Sequence, residues 1–189
     1  MYVLGWIMLI GALCLTGCET FPVTSVQPLF EKDDLAFDES LLGQWNDEDN
    51  CKVSFNKAGA NYYYFTTTDR DGVPDTDRRL LMHLVRISGL LFLNASDPNT
   101  GSTEIPGHVF FQIRLQPDVL EMSLVDRTWL QTKVVDEKQL SHLLIRRKSA
   151  VITASTREQQ VFLMLYGRGP AAFCEWRRFT RIESSRKAK

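Results

Sequence analysis

The sequence has almost no net charge, no internal repeat and no glycine-rich phosphate loop. Its 189 residues contain 22 Lys and Arg against 23 Asp and Glu, a formal net charge of −1. Domains that bind nucleic acid through phosphate contacts usually carry a clear basic excess. The charge balance therefore argues against a nucleic-acid partner, and the length is that of a single domain with one substantial core.

Motifs for catalysis are absent as well. His83, His108 and His142 lie far apart in the sequence, and none belongs to a Gly-x-Ser-x-Gly nucleophile motif or to a His-Glu-x-x-His zinc helix. The four cysteines form no Cys-x-x-Cys redox pair. We therefore expect a protein that is not an enzyme and that needs no cofactor. The alternative is a hydrolase-like envelope enzyme that uses a histidine or the acidic segment 69–77.

The segment 69–77 is the densest group of carboxylates in the chain. If Gly72 takes the sixth position of a calcium loop, three aspartates fall on the third, fifth and ninth positions. The first and twelfth positions then lack the carboxylates that such a loop requires. The sequence favours a polar hairpin loop over a metal site. The aspartates of this weak calcium candidate are Asp69, Asp71 and Asp75.

An apolar run from Val3 to Leu15 stands near the beginning of the chain, and residues 1–17 carry no charged side chain. The run is shorter than the roughly 18 to 20 residues that cross a bilayer, which is typical of a cleaved signal. It ends in Leu15-Thr16-Gly17-Cys18, which resembles the lipobox of bacterial lipoproteins. The resemblance implies that residues 1–17 are a signal peptide and that Cys18 becomes an acylated first residue, carrying chains such as palmitate.

The same resemblance implies a place in the cell envelope. Acyl chains on Cys18 would hold the protein on a membrane, facing the periplasm, because each buried methylene contributes about 0.8 kcal/mol. Glu19 is not the Asp that retains lipoproteins in the inner membrane, so the outer membrane is expected. The composition predicts a flexible lipidated tether over residues 18–40, a domain over 41–183 and a basic tail over 184–189.

Processing at Cys18 would leave two cysteines in the folded domain, Cys51 and Cys174. An even pair outside the cytoplasm favours a disulfide. Closing a loop of about 120 residues would stabilise the domain by roughly 4 to 5 kcal/mol on the chain-entropy model. Two buried free thiols are the alternative.

Short runs with period-two alternation dominate from residue 41 to about residue 135. Their β-branched and aromatic residues, as in 62–67, are typical of strands, and the turns between them predict an antiparallel meander that includes a strand at 129–135. A short helix is predicted over 136–147. Ser155 and Glu158 form a capping box that predicts a second helix, before a closing strand at 173–182.

Gly43-Gln44-Trp45, placed before this meander and its late helix, resembles the start of a lipocalin-like or calycin barrel. The resemblance implies a mainly β fold, a lipocalin-like antiparallel meander β-barrel with a C-terminal helix before the last strand. In that family a Trp closes one barrel end and an Arg near the last strand packs over its ring. Trp45 and one of Arg177, Arg178 and Arg181 would take these roles.

Small barrels can hold one apolar ligand, or their inward side chains can fill the interior as a packed core. The sequence thus predicts a membrane-anchored, non-catalytic binding module, either for a small apolar ligand or for an envelope protein. The candidate ligand-lining residues are Tyr62, Tyr64, Phe92, Phe111 and Trp129.

Overall fold

The structure is a computed structural model that describes residues 24–68, 79–98, 107–145 and 149–182. The predicted signal peptide, Cys18, the aspartates Asp69, Asp71 and Asp75, and the basic tail lie outside these ranges. The strands are β1 (Thr24–Ser25), β2 (Leu35–Ala36), β3 (Gly43–Asp47), β4 (Lys52–Lys57), β5 (Tyr62–Thr68), β6 (Leu80–Ile87), β7 (Leu90–Ser96), β8 (His108–Gln116), β9 (Val119–Leu124), β10 (His142–Ile145), β11 (Ser149–Ile152) and β12 (Arg177–Arg181). The helices are α1 (Arg127–Gln131) and α2 (Thr156–Tyr166), with a π-helical turn at Thr132–Asp136 and 3-10 turns at Lys32–Asp34, Glu39–Leu41 and Pro170–Ala172.

Eight strands form a closed antiparallel barrel. Strands β3 to β9 pair in chain order, and β12 pairs with both β9 and β3, so that the sheet closes on itself. The helix α2 precedes β12 in the chain. The predicted fold class, a lipocalin-like antiparallel meander β-barrel with a helix before the last strand, is confirmed.

Alternating residues of the barrel strands form the inner core. On β5, Tyr63 and Phe65 point inward and pack against Phe55 of β4, with ring centroids 6.3 and 5.1 Å away. Trp45 and Phe179 are buried in the same cluster. Each such side chain contributes about 1.5 to 3 kcal/mol when it leaves water, so the interior stabilises the barrel strongly.

The outer face of β6, β7 and β8 is also apolar and buried. Val85, Phe92 and Phe110 point away from the interior and form a second cluster with Leu130 of α1 and Phe162 of α2. A strand that is covered on both faces has a nearly continuous apolar sequence, and β6 to β8 have this composition. The helices are therefore held on one side of the barrel wall.

Residues 24–36, which we call the N-terminal strap, belong to this outer layer. β1 pairs in parallel with β11 and antiparallel with the start of β8, and β2 pairs with β6. Leu29 is completely buried, and its backbone N–H donates to Asn94 Oδ1 at 2.9 Å. The predicted flexible tether is wrong over residues 24–36, and the domain begins before the predicted boundary at residue 41, because one buried leucine and two short strands fix a segment of polar composition.

Two of the predicted elements differ from the structure, whereas the capping box is confirmed. Asp126 caps a helix at the place of the predicted strand, since its Oδ1 accepts from the Trp129 N–H at 2.7 Å. The predicted helix over 136–147 contains the strand β10, which pairs with β11. Ser155 and Glu158 exchange the expected capping hydrogen bonds at the start of α2.

We expect Leu29→Ala to lower the free energy of unfolding by about 2 to 4 kcal/mol, because the substitution leaves a cavity under the strap. Urea unfolding of the purified protein measures this change. The matched control is Gln27→Ala on the same strap, whose exposed side chain should matter by less than about 0.5 kcal/mol. Equal stability of Leu29→Ala and the wild type would mean that the strap is not docked.

Candidate functional site

Arg181 lies over the ring of Trp45 at the barrel end where β12 finishes. Its guanidinium carbon is 4.2 Å from the ring centroid. Nη1 donates to the Leu42 carbonyl at 2.8 Å, Nε donates to the Pro117 carbonyl at 3.0 Å, and Nη2 donates to the Ser40 carbonyl. These bonds join β12 to the 3-10 turn with its C-cap and to the β8–β9 turn. Arg181 and Trp45 therefore close this end of the barrel, and their role is structural.

The other two candidate arginines lie elsewhere. Arg177 forms ion pairs with Asp47 and Asp49, at 3.2 and 2.8 Å between nitrogen and oxygen. Arg178 is exposed on the barrel wall. Of the three arginines that the barrel resemblance offered, the structure places Arg181 over Trp45.

Cys51 and Cys174 are both disulfide-bonded in the structure. Both also pack against the inner core. The Cys51 N–H donates to Asp47 Oδ1 at 2.7 Å, and the Cys174 N–H donates to the Leu124 carbonyl at 2.9 Å. The pairing of these two cysteines with each other stays a prediction.

The predicted ligand-lining tyrosines point away from the barrel interior. Because Tyr63 and Phe65 face inward, Tyr62 and Tyr64 lie on the outer face of β5. The side chain of Tyr64 there contacts the Arg79 guanidinium, whose carbon is 4.6 Å from the ring centroid. The prediction that Tyr62 and Tyr64 line the interior is wrong by one residue. Every residue from 62 to 65 is aromatic, so alternation alone does not distinguish the inward side chains from the outward ones.

The other three predicted lining residues do not meet in one cavity. Phe111 is buried in the inner core. Phe92 and Trp129 belong to the outer cluster, where Trp129 packs 5.5 Å from the Phe162 ring. The predicted set is thus divided between the two sides of the barrel wall.

Two of the three histidines lie together beneath the strap. His83 stacks on Phe30 with ring centroids 4.4 Å apart, and the buried Asn94 donates from Nδ2 to His108 Nδ1 at 3.1 Å. Burial lowers the pKa of His83. Burial, and then the charge on His83, lower the pKa of His108 to about 4. Both rings are neutral near pH 7, and their neighbours here are apolar side chains and an amide.

The third histidine is separate, with His142 Nδ1 lying 3.0 Å from the Leu140 carbonyl. Within the described ranges, no group of three or more His, Cys, Asp or Glu side chains is placed to hold a metal ion. The histidines therefore do not converge on a catalytic or metal site.

A groove of about 490 Å³ lies between α2 and residues 138–141. Val161 and Leu165, one helical turn apart, are 41% and 64% exposed along it. Tyr166 forms part of the wall, and its hydroxyl donates to Gln139 Oε1 at 3.0 Å. The apolar side chains of α2 are more than the barrel covers, because Phe162 is buried while Val161 and Leu165 are exposed.

Two basic side chains and one carboxylate lie on the rim of this groove, which leaves one net positive charge among them. Lys138 and Arg157 are exposed there. The carboxylate of Glu158 accepts hydrogen bonds from the Ser155 N–H and hydroxyl at 2.8 and 2.7 Å, and these bonds lower the pKa of Glu158. The arrangement can bind an apolar group that has a negative charge beside it.

No family model, curated protein or solved structure matches the chain. Among the described residues, no helix has both the length and the hydropathy needed to cross a membrane. The large apolar side chains that are exposed in the described part of the chain lie along α2 and on β10.

Acid should weaken the fold through His108. Its pKa in the folded protein lies below that of the unfolded chain, so the unfolded state binds more protons between about pH 6.5 and pH 4 and stability falls as the pH falls. A protonated His108 Nδ1 also cannot accept from Asn94. We expect a loss of about 1 to 2 kcal/mol between pH 7 and about pH 5. Urea unfolding at both pH values should show a smaller loss of stability in His108→Gln than in the wild type. Identical pH dependence of His108→Gln and the wild type would contradict this assignment.

Proposed function

We propose that the protein is a lipid-anchored, non-catalytic docking module of the bacterial cell envelope. Residues 1–17 act as a signal peptide, and Cys18 is acylated and faces the periplasm, on the outer membrane. The apolar, uncharged run before Leu15-Thr16-Gly17-Cys18 supports this location. The oxidised state of Cys51 and Cys174 fits a compartment outside the cytoplasm. We propose further that these two cysteines are bonded to each other.

The groove between α2 and residues 138–141 is the proposed docking site. The proposal depends on one observation, the exposure of Val161 and Leu165 along the groove. Contiguous exposed apolar surface is typical of an interaction site. The partner is an envelope protein that contributes an aliphatic segment with an acidic residue beside it, to suit the rim of Lys138 and Arg157.

A docking role fits the barrel better than the carriage of a small apolar ligand. Large buried side chains, including Trp45, Phe55 and Tyr63, meet in the interior. Ligand carriage would require that space. Catalysis also has little support, because the half-buried His83 and His108 contact Phe30 and Asn94.

Acylation is tested by growing cells with labelled palmitate. The full chain should incorporate the label and fractionate with membranes, whereas Cys18→Ser should remain unlabelled and keep its signal peptide. Cys14→Ser is the matched control, because Cys14 lies four residues earlier within the apolar run; we expect it to be labelled. Unlabelled wild-type protein would remove the envelope location.

Docking is tested by placing a photo-crosslinking residue at Leu165 in living cells. We expect one discrete protein adduct, which disappears when Val161→Asp is introduced as well. A probe at the exposed Arg178 of the barrel wall is the control and should give no such adduct. Because Leu165 and Val161 are both exposed, substitution at either position should change the free energy of unfolding by less than about 0.5 kcal/mol. The same adduct pattern from Leu165 and Arg178 would contradict the proposed site.

A further inference from the structure

The strap leaves little free chain between the predicted lipid attachment and the folded domain. β1 begins at Thr24, six residues after Cys18. Six fully extended steps span at most about 20 Å. If Cys18 is acylated, as proposed above, the start of β1 lies within that distance of the lipid surface.

The start of β1 lies beside the β10–β11 hairpin. Thr24 is opposite Val151 of β11, and Val151 is opposite Leu143 of β10. Two strand spacings place Leu143 about 10 Å from Thr24. β1 and β11 are parallel, and β10 is antiparallel to both. The first residues of β1 and β11 and the last residue of β10 therefore lie at the same end of these strands.

β10 exposes large apolar side chains on both of its faces. Leu143 and Leu144 are 62% and 64% exposed. Since consecutive residues of a strand point to opposite faces, neither face of β10 is covered there. β10 is the last strand in the order of the sheet, with β11 as its neighbour among the described strands. The hairpin thus presents an apolar end beside the point where the lipid-anchored chain joins the domain.

We propose that the β10–β11 hairpin rests on the bilayer that holds Cys18, with Leu143 and Leu144 in the boundary between headgroups and acyl chains. This proposal depends on the acylation of Cys18 proposed above, but it does not depend on the groove. The anchor and the hairpin together would give the barrel a fixed orientation.

A protein strand that pairs with the free edge of β10 is the competing occupant of this surface. Strand addition satisfies the backbone groups of an edge and would also cover Leu143 and Leu144. The length of the connection to Cys18 favours the bilayer, because it brings these leucines to the membrane without a second protein. The test must therefore separate lipid contact from protein contact.

The experiment uses the full acylated protein, purified from membranes and reconstituted into phosphatidylethanolamine–phosphatidylglycerol vesicles, with and without brominated acyl chains. Leu144→Trp places a fluorophore on the hairpin. Asn56→Trp is the matched control, because Asn56 is exposed on β4. The hairpin joins the barrel through β1 and β8, and β4 lies four strands from β8 in either direction around the barrel. After subtraction of the wild-type spectrum, emission from Leu144→Trp should shift to shorter wavelength and be quenched by brominated lipid. Emission from Asn56→Trp should do neither.

Absent or equal quenching at the two positions would overturn the proposal, provided that the protein is acylated and vesicle-bound. A photo-crosslinker at Leu144 that captures a protein in cells, without quenching in vesicles, would also overturn it in favour of strand addition. If the protein lacks acyl chains and does not enter vesicles, the proposed anchor fails, and this result is distinct from failure of the hairpin contact alone.

Discussion

The burial of Leu29 against the outside of the barrel is the contact on which the attachment of the strap depends. Its backbone N–H satisfies the buried amide of Asn94, and its side chain completes the apolar layer over β6, β7 and β8. The same contact holds the strap over the two neutral histidines. The packing of one residue therefore connects the stability of the strap with the acid sensitivity of the histidines beneath it. Under the proposed acylation of Cys18, it also limits the distance between the barrel and lipid.

The barrel wall has two cores, and this arrangement decides where binding can occur. The inner core is made of large aromatic and aliphatic side chains, closed at one end by Trp45 and Arg181. The outer core holds α1 and α2 against three strands. The apolar surface that neither core covers lies on the outside, along α2 and on β10. A protein with this distribution of apolar surface is suited to contacts with other macromolecules or with lipid.

Local patterns in the sequence predicted the parts of the fold that depend on local chemistry. Alternation predicted the meander, and the Ser155 capping box predicted α2. Alternation failed at Tyr62–Phe65, where both parities are aromatic and only the core distinguishes them. It also failed at α1, where the cap from Asp126 prevails over β propensity. The strap and the groove arise from contacts between distant segments, such as the bond between Leu29 and Asn94, and no local pattern encodes them.

The most direct measurement of the central claim is amide hydrogen exchange across residues 24–36 in the purified protein. If the strap is part of the domain, the Leu29 amide exchanges as slowly as the amides of β6 to β8, because it donates to a buried side chain. Exchange of the whole strap at the rate of an unfolded chain, beside a protected barrel, would contradict the account. Such a result would restore a long flexible tether and free the barrel from the membrane surface.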